Sequence, residues 1–209
     1  MELTTPAFDN GQPIPGEYAF CLPDPDTHAT LGPNRNPALM WSDVPEGTES
    51  LVLICHDPVV PTSGEDVNQE GREVPADLAR TDFFHWILVD ISPDQPNLDE
   101  GEFSDRVTPR GKDGPDGPRG TRQGVNDYTG WFAGDADMSG TYFGYDGPCP
   151  PWNDSLVHQY VFTLYALDVD RCPVEGNFNG ADVRAAMEGH VLAQASVTGT
   201  YTLNPRLTA

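Results

Sequence analysis

Three apolar runs of strand length constrain the fold of this chain more than any other feature. They cover residues 50–55, 85–91 and 157–167, and they are rich in β-branched and aromatic side chains. Runs of this length and composition predict buried strands. The sequence also holds 21 glycines and 21 prolines in 209 residues, which suits strands joined by many turns better than a helical bundle. We therefore predict a mainly β fold.

The rest of the chain completes this outline. We predict a strand-like segment at residues 17–20, a proline-rich loop over 21–37, a helix over 179–192 and a closing strand over 195–203. Asn179 or Asp182 would cap the helix. The segment at about 93–143 is interpreted as a long loop insertion in a single domain spanning 1–209, although its first part, 93–135, would also suit a linker between two domains.

Each of the three predicted strands carries an ionisable side chain at one end. Because side chains alternate between the two faces of a strand, Asp57 continues the apolar face of 51, 53 and 55. His85 shares a face with residues 87, 89 and 91, and His158 shares one with residues 160, 162 and 164. If the first strand runs antiparallel to the other two, Asp57, His85 and His158 meet at one end of the sheet.

A carboxylate beside two imidazoles, above an apolar floor, predicts a small ligand pocket. The carboxylate would raise the pKa of both histidines, and cationic imidazoles suit phosphate or another small anion. Two alternatives stay open. The three residues could be solvated strand ends, or they could form a zinc site, for which the residue types are right but the spacing shows no metal-ligand signature.

The charge of the chain limits its partners. It holds 33 acidic and 11 basic residues, a net charge of −22. Such a surface repels nucleic acid and anionic lipid, so we expect neither as a partner. The acids are spread along the whole sequence, and at about 1 M salt the Debye length falls to roughly 3 Å, which screens their mutual repulsion. We therefore hypothesise a halophilic source, an archaeon.

Targeting and cysteine content point to the cytoplasm. The N-terminus lacks the basic start and apolar stretch of a signal peptide, and no apolar run approaches the ~20 residues that span a bilayer. The four cysteines are too scattered for a zinc motif, and we expect free thiols in a reducing compartment. They are Cys21, Cys55, Cys149 and Cys172.

Motifs of the common enzyme classes are missing from the sequence. It contains no G-x-S-x-G elbow, no phosphate-binding loop and no dinucleotide fingerprint, so no cofactor is indicated. The neighbours Cys55 and His56 would face opposite sides of a strand and so cannot form a catalytic pair. We expect a binding protein rather than an enzyme.

Several spaced segments resemble one known family. Asp57-Pro58-Val59-Val60-Pro61 is similar to a D-P-D-A-P motif, residues 84–88 to an H-W segment, and residues 145–151 with 157–162 to a Y-x-G-P-x-P-P…H-R-Y-x-F block. Residues 37–47, 186–192 and 199–201 match further blocks in the same order. These motifs resemble the phosphatidylethanolamine-binding protein (PEBP) family, in its prokaryotic Raf-kinase-inhibitor-like branch.

The resemblance implies a β-sandwich with Greek-key character, long loops and a C-terminal helix. It also implies a pocket for phosphate, phosphorylated headgroups or similar anions. The positions that match the family's pocket motifs are Asp57, His85, Gly147, Pro148, Pro150, Pro151, His158 and Tyr160. In this interpretation His85 and His158 donate to the anion, Tyr160 adds a hydroxyl, and backbone N–H groups near Gly147 complete the cradle.

Some positions depart from the family pattern. Val59 replaces an acid, which should favour anions, and Gln159 replaces an arginine that would point away from the pocket. Four aromatic residues of a lengthened segment could shade the pocket or simply pack: Trp131, Phe132, Tyr142 and Phe143. Five basic residues could form a local attractor for anions or pair with nearby acids such as Asp105, Asp113 and Asp116: Arg106, Arg110, Lys112, Arg119 and Arg122.

The leading hypothesis from the sequence is a cytoplasmic protein that binds a small anionic ligand. A second hypothesis, also taken from the resemblance, is a regulatory interaction module that inhibits a kinase or a protease. A hydrolase acting on phosphoesters or peptides is a third, weaker one, because the sequence offers no convincing nucleophile.

Overall fold

The computed structural model describes residues 1–207 and is dominated by β-strands. Ten strands and two short α-helices follow one another along the chain. The strands are β1 Glu2–Thr4, β2 Cys21–Asp24, β3 His28–Leu31, β4 Leu39–Ser42, β5 Ser50–Pro61, β6 Arg80–Ile91, β7 Asn97–Leu98, β8 Arg122–Gln123, β9 His158–Leu167 and β10 Val191–Tyr201. The helices are α1 Tyr128–Trp131 and α2 Gly180–Ala186. The predicted mainly β fold is confirmed.

The three predicted central strands form the middle of a five-stranded sheet. Its order is β10-β9-β5-β6-β8, and every neighbouring pair is antiparallel. Leu53 of β5 pairs with Leu88 on one side and with Leu164 on the other. The first of the three runs is therefore antiparallel to the other two, which is the condition for their polar ends to meet.

A second, three-stranded sheet of order β1-β4-β7 packs on one face of the large sheet. The main core contains side chains of both sheets, such as Leu3 and Trp41 from the small sheet and Leu51, Leu53 and Phe162 from the large one. This packing buries the apolar side chains that each sheet presents, at alternate positions along its strands, to the other sheet.

The opposite face of the large sheet is also buried. Val52, Ile54 and Ile87 pack there against Val183 and Met187 in and beside α2. Burial on both faces explains why the central strands are apolar in succession rather than in strict alternation.

Several predicted elements differ from the observed ones. The prolines of 21–37 do not prevent strands from forming. Strands β2 and β3 pair as a separate two-stranded hairpin, so Pro23, which lacks a backbone N–H, has a strand on one side only. Asp24 closes the hairpin by accepting hydrogen bonds from the backbone N–H groups of Asp26 and Thr27. The predicted strand at 17–20 was wrong, since Gly16–Tyr18 is a 3₁₀ turn.

The C-terminal helix is shorter than predicted. Asn179 caps it as expected and forms a reciprocal capping box with Asp182. The helix ends at Ala186, and Gly189 then adopts a φ of +83°, which favours glycine and turns the chain back toward the sheet. Strand β10 consequently begins at Val191, four residues before the predicted start.

The segment 93–143 contains only short elements: β7, β8, α1 and one 3₁₀ turn. It nevertheless packs against the main body, since Tyr128 and Tyr142 are buried in the main core. Within residues 1–207 no helix is long and apolar enough to cross a membrane.

Candidate functional site

A cavity of about 180 Å³ lies where β5, β6 and β9 approach one end of the large sheet. Six of the eight residues predicted for the pocket line it: Asp57, His85, Pro150, Pro151, His158 and Tyr160. Nine further residues complete the lining: Val60, Pro61, Gly64, Val67, Asn68, Phe83, Tyr128, Trp131 and Cys149. The three polar side chains deduced from strand phase therefore share one cavity.

An irregularity in strand pairing sets the direction of His85. The register between β5 and β6 passes from Cys55↔Trp86 to His56↔Phe84, so His85 is an extra, unpaired residue. Such a bulge re-aims a side chain. The predicted phase of this strand was wrong as a result, because Ile87 lies on the α2 face while His85 lines the cavity on the other.

Asp57 and His158 form the polar floor of the cavity. His158 Nδ1 donates to Asp57 Oδ2 over 2.5 Å, and both side chains are 1% exposed. The other oxygen, Asp57 Oδ1, accepts from the backbone N–H of Val59 at 2.8 Å. Val59 thus contributes its backbone to the site, and its side chain is not part of the cavity lining.

The second nitrogen of His158 is also committed. His158 Nε2 lies 3.1 Å from Asp154 Oδ2, and Arg80 binds both oxygens of Asp154 at 2.6 and 3.1 Å. A chain of alternating charges therefore runs from Asp57 through His158 and Asp154 to Arg80. Asp154 and Arg80 were not predicted as site residues, because Asp154 precedes β9 and strand alternation does not apply to it.

This arrangement holds His158 as a cation. Burial alone would lower its pKa, but the hydrogen bonds and charges of Asp154 and Asp57 outweigh burial and raise the pKa of His158 to about 9. Burial likewise opposes ionisation of Asp154, yet its bonds to His158 and Arg80 keep its pKa below the ordinary value. The expectation of a cationic imidazole is met at this histidine.

His85 behaves in the opposite way. Burial lowers the pKa of His85 to about 4, and the nearby charge of Asp57 opposes this only in part. Its Nδ1 lies 2.7 Å from the backbone carbonyl oxygen of Asp146, which can only accept, so Nδ1 carries the proton. The expectation that both histidines are cationic was wrong, because desolvation of the ring exceeds the stabilisation by one carboxylate.

Aromatic rings enclose His85 on several sides. The ring centroids of Phe83, Tyr160 and Tyr128 lie 4.9, 5.0 and 5.5 Å from that of His85. Trp131 also lines the cavity and is 53% exposed, so it lies at the border with solvent. Phe83 and Tyr128 were not predicted, and no periodic pattern in the sequence marks them.

Of the four aromatic residues proposed to shade the pocket, only Trp131 is in its lining. Phe132 stacks on Tyr128, and Tyr142 and Phe143 are buried. For these three the packing alternative holds.

The segment from Gly147 to Pro151 forms one wall, but only its second half faces the cavity. The backbone N–H of Gly147 donates to Asn34 Oδ1 at 2.8 Å, so it cannot complete an anion cradle as expected. A Cβ at Gly147 would lie 2.0 Å from the carbonyl oxygen of Tyr18, which explains the glycine. The Pro148 carbonyl accepts from the N–H groups of Phe20 and Cys21. Gly147 and Pro148 therefore support the wall from behind.

A disulfide ties this wall to β2. Cys21 and Cys149 are bonded across 128 positions of sequence, and Cys149 lines the cavity. The prediction of four free thiols was therefore wrong for these two residues. Cys55 and Cys172 are free and buried.

The predicted attractor for anions is largely neutralised. Arg106 pairs with Asp105, Lys112 with the buried Asp146, Arg119 with Asp99 and Glu102, and Arg122 with Asp90. The salt-pairing alternative accounts for these four residues, although Asp105 is the only partner that was foreseen. Among residues 1–207 no three histidine, cysteine or carboxylate side chains are grouped to hold a metal ion.

The chain is similar to known proteins over nearly its whole length. The family model described as "Phosphatidylethanolamine-binding protein" matches residues 4–202. A UPF0098 protein of Methanothermobacter thermautotrophicus is 35% identical over 201 residues, covering 96% of this chain and 98% of that protein. The UPF0098 protein YbhB of Escherichia coli is 31% identical and covers 96% and 99% of the two chains.

Solved structures show the same relationship. A putative PEBP homologue from Chlamydia trachomatis superposes with a TM-score of 0.63 at 32% identity, covering 96% of this chain and 95% of that one. E. coli YbcL, described as a new member of the mammalian PEBP family, superposes with a TM-score of 0.68 at 25% identity over 96% and 97% of the chains.

Proposed function

The chain belongs to the phosphatidylethanolamine-binding protein family, and we propose that it binds a small anionic ligand, phosphate or a phosphorylated headgroup, in the cavity above Asp57 and His158. It acts by binding rather than by turnover. The observation that carries the proposal is His85: its Nδ1 is held by the Asp146 carbonyl, and its Nε2 makes no hydrogen bond within residues 1–207. This ring lines the cavity, so Nε2 is available to a ligand.

The size and chemistry of the cavity support a compact ligand. A volume of about 180 Å³ lies below the ~300–1,000 Å³ of drug-sized sites. Aromatic and proline side chains form much of the lining, and hydrogen bonds are electrostatically stronger in such apolar surroundings than in water. The net charge of −22 opposes approach of an anion at low salt, but this long-range repulsion is screened at high salt.

Calorimetric titration with inorganic phosphate and with phosphoethanolamine tests the proposal. We expect heat from the wild type, loss of that heat in His85→Leu, and unchanged heat in His190→Gln. His190 is a partly exposed histidine paired with Asp168 and does not line the cavity. A wild type without heat for either compound, or equal heat from His85→Leu or His158→Ala, would contradict the proposal.

Absence of turnover is tested separately. We expect no hydrolysis of a generic carboxylic or phosphoric ester above the rate of the buffer. Hydrolysis that disappears in Asp57→Asn would instead assign the cavity to a hydrolase.

A second candidate function is regulation of a protein partner, such as a kinase or a protease. The observation in its favour is the 53% exposed indole of Trp131 beside the cavity mouth, where a partner could cover it. Pull-down from a native lysate at high salt, compared between wild type and Trp131→Ala, tests this function. A partner retained equally by both proteins would count against this surface.

A further inference from the structure

We propose that the cavity binds a phosphomonoester as its monoanion and not as its dianion. The bound ligand and His85 share one proton. This inference rests on the proposed function and names the ionic form of its ligand. It follows from the charged groups beneath the cavity and from the hydrogen bonds that hold His158 and His85.

The charged groups beneath the cavity balance one another. Asp57 and Asp154 contribute two carboxylates, and His158 and Arg80 contribute two cations, linked in one continuous chain. Asp57, His158 and Asp154 are each 1% exposed. No excess positive charge is left to neutralise a dianionic phosphate, and an uncompensated charge in buried surroundings is costly.

Both ring nitrogens of His158 are bound to carboxylates within the protein, and Arg80 is not among the residues that line the cavity. Arg80 donates to Asp154 and to the carbonyl oxygens of Val59 and Pro75. A ligand oxygen can therefore take a hydrogen bond from His158 only by displacing a protein partner. The N–H at Nε of Arg80 is unpaired within residues 1–207, but it is buried outside the cavity lining.

Of the two histidines, His85 is the one with a ring nitrogen open to a ligand, and Tyr160 lines the cavity beside it. The position of the proton on His85 decides what that nitrogen can bind. Because Nδ1–H donates to the Asp146 carbonyl, a neutral ring presents the lone pair of Nε2, which accepts but cannot donate. The ring is 3% exposed, and burial favours this neutral form. An oxygen that carries no proton would face this lone pair with repulsion.

The groups that face His85 come from every element packed around it. Asp57 lies on β5, His158 and Tyr160 lie on β9, and Tyr128 belongs to α1. Asp146, which precedes β9, contributes its carbonyl oxygen, while its carboxylate is bound by Lys112, Asn34 and Asn126. None of these groups supplies a free cation to the ring.

One extra proton removes the repulsion between a ligand oxygen and the lone pair of His85 Nε2. Either the P–OH of the monoanion donates to Nε2, or the proton moves to Nε2 and the imidazolium donates to the phosphate oxygen. The stoichiometry is the same in both cases, one proton per bound ligand. A phosphomonoester loses its second proton at about pH 6, so above this pH binding has to take up a proton from solution. A sulfate ester has no such proton, and it can bind only if His85 itself is protonated.

Calorimetry in buffers of different ionisation enthalpy measures this proton directly. With phosphoethanolamine we expect uptake of close to one proton per ligand at about pH 8 and close to none at about pH 5, on either side of the second phosphate pKa. The sulfate ester of ethanolamine should bind at least tenfold more weakly than phosphoethanolamine at about pH 5, where the latter is already a monoanion.

The variant His85→Gln provides a donor that does not titrate. Its side-chain amide can donate to an unprotonated oxygen, so we expect proton uptake at about pH 8 to vanish and discrimination against the sulfate ester to fall severalfold. His190→Gln is the matched control and should behave as the wild type. The wild-type measurement decides the proposal even if His85→Gln does not fold.

The outcomes separate the two proposals. Binding of phosphoethanolamine without proton uptake at about pH 8, or uptake that persists in His85→Gln, overturns this inference and leaves the proposed function standing. A complete lack of binding at both pH values overturns the proposed function, and this inference with it.

Discussion

Asp57 and His158 are 101 positions apart in the sequence, yet Oδ2 of the first lies 2.5 Å from Nδ1 of the second in the floor of the cavity. The two residues come from neighbouring antiparallel strands, β5 and β9, whose pairing runs from Ser50↔Leu167 to His56↔Val161. This contact forms the polar floor of the cavity and should control both the stability of the protein and the charge of the site.

Removing one partner of this buried pair is expected to be costly. Asp57→Asn leaves His158 without one of its two carboxylates, so unfolding free energy should fall by about 3–5 kcal/mol. The pKa of His158 should also fall from about 9 toward its ordinary value. Urea unfolding and an NMR titration of the His158 ring measure these effects.

The exposed pair of His28 and Glu70 is the matched control for that change. Its nitrogen–oxygen distance is 2.6 Å, but the side chains are 37% and 81% exposed. Solvent screens such a pair, so Glu70→Gln should cost about 1 kcal/mol or less. Equal losses in Asp57→Asn and Glu70→Gln would show that burial of the first pair has no energetic consequence.

Stability should pass through a maximum near the ordinary histidine pKa of 6.5. The raised pKa of His158, about 9, gives a contribution that is fully present below pH 6.5 and is lost as the pH rises toward 9. The lowered pKa of His85, about 4, means that below pH 6.5 the unfolded chain binds a proton that the folded chain excludes. The loss of stability on the alkaline side and the loss on the acid side each amount to roughly 3 kcal/mol.

Urea unfolding across this pH range measures the loss of unfolding free energy on both sides of the maximum. The variant His85→Asn keeps a side-chain donor for the Asp146 carbonyl but does not titrate, so it should reduce the slope on the acid side and leave the alkaline side unchanged. If this variant loses stability with the same slope on the acid side, groups other than His85 produce that loss.

The disulfide should stabilise the protein and hold the cavity wall in place. It closes a segment of 128 positions, for which chain entropy predicts a stabilisation of roughly 5 kcal/mol at most. We expect a reducing agent to lower the melting temperature of the wild type and to have no effect on a Cys21→Ser/Cys149→Ser double variant. Free Cys55 and Cys172 are buried, so neither should react with a thiol reagent before unfolding.

Lys112, the only lysine of the chain, should stabilise the long loop segment. Its Nζ lies 2.7 Å from the carboxylate of Asp146, which is 0% exposed and whose pKa burial already raises. Lys112→Met should therefore cost about 3–5 kcal/mol in unfolding free energy. Arg106→Gln, which breaks the exposed pair with Asp105, should change stability by about 1 kcal/mol or less.

Salt should stabilise the folded chain if the acidic surface reflects a halophilic origin. The net charge of −22 produces self-repulsion in the compact state, and about 1 M salt screens it beyond roughly 3 Å. We expect the melting temperature to rise between about 0.1 M and about 1 M potassium chloride. A protein that is equally stable at both concentrations would contradict the halophilic hypothesis.

The sequence alone determined the parts of this protein that depend on local pattern. Apolar runs of strand length identified β5, β6 and β9, and Asn179 identified the start of α2. Period-two alternation was enough to place Asp57 and His158 on the buried side, and the spaced motifs led to the family. These features are encoded within a few residues, so they can be recognised without knowing what packs against them.

Only the tertiary structure decided how the site is built and charged. The bulge that turns His85, the carboxylate of Asp154 that clamps His158, and the disulfide at Cys149 all depend on pairings between distant segments. The opposite protonation of two similar histidines depends on a balance that no local pattern encodes. Both rings are buried, but two carboxylates compensate His158, whereas His85 has a backbone carbonyl and aromatic neighbours.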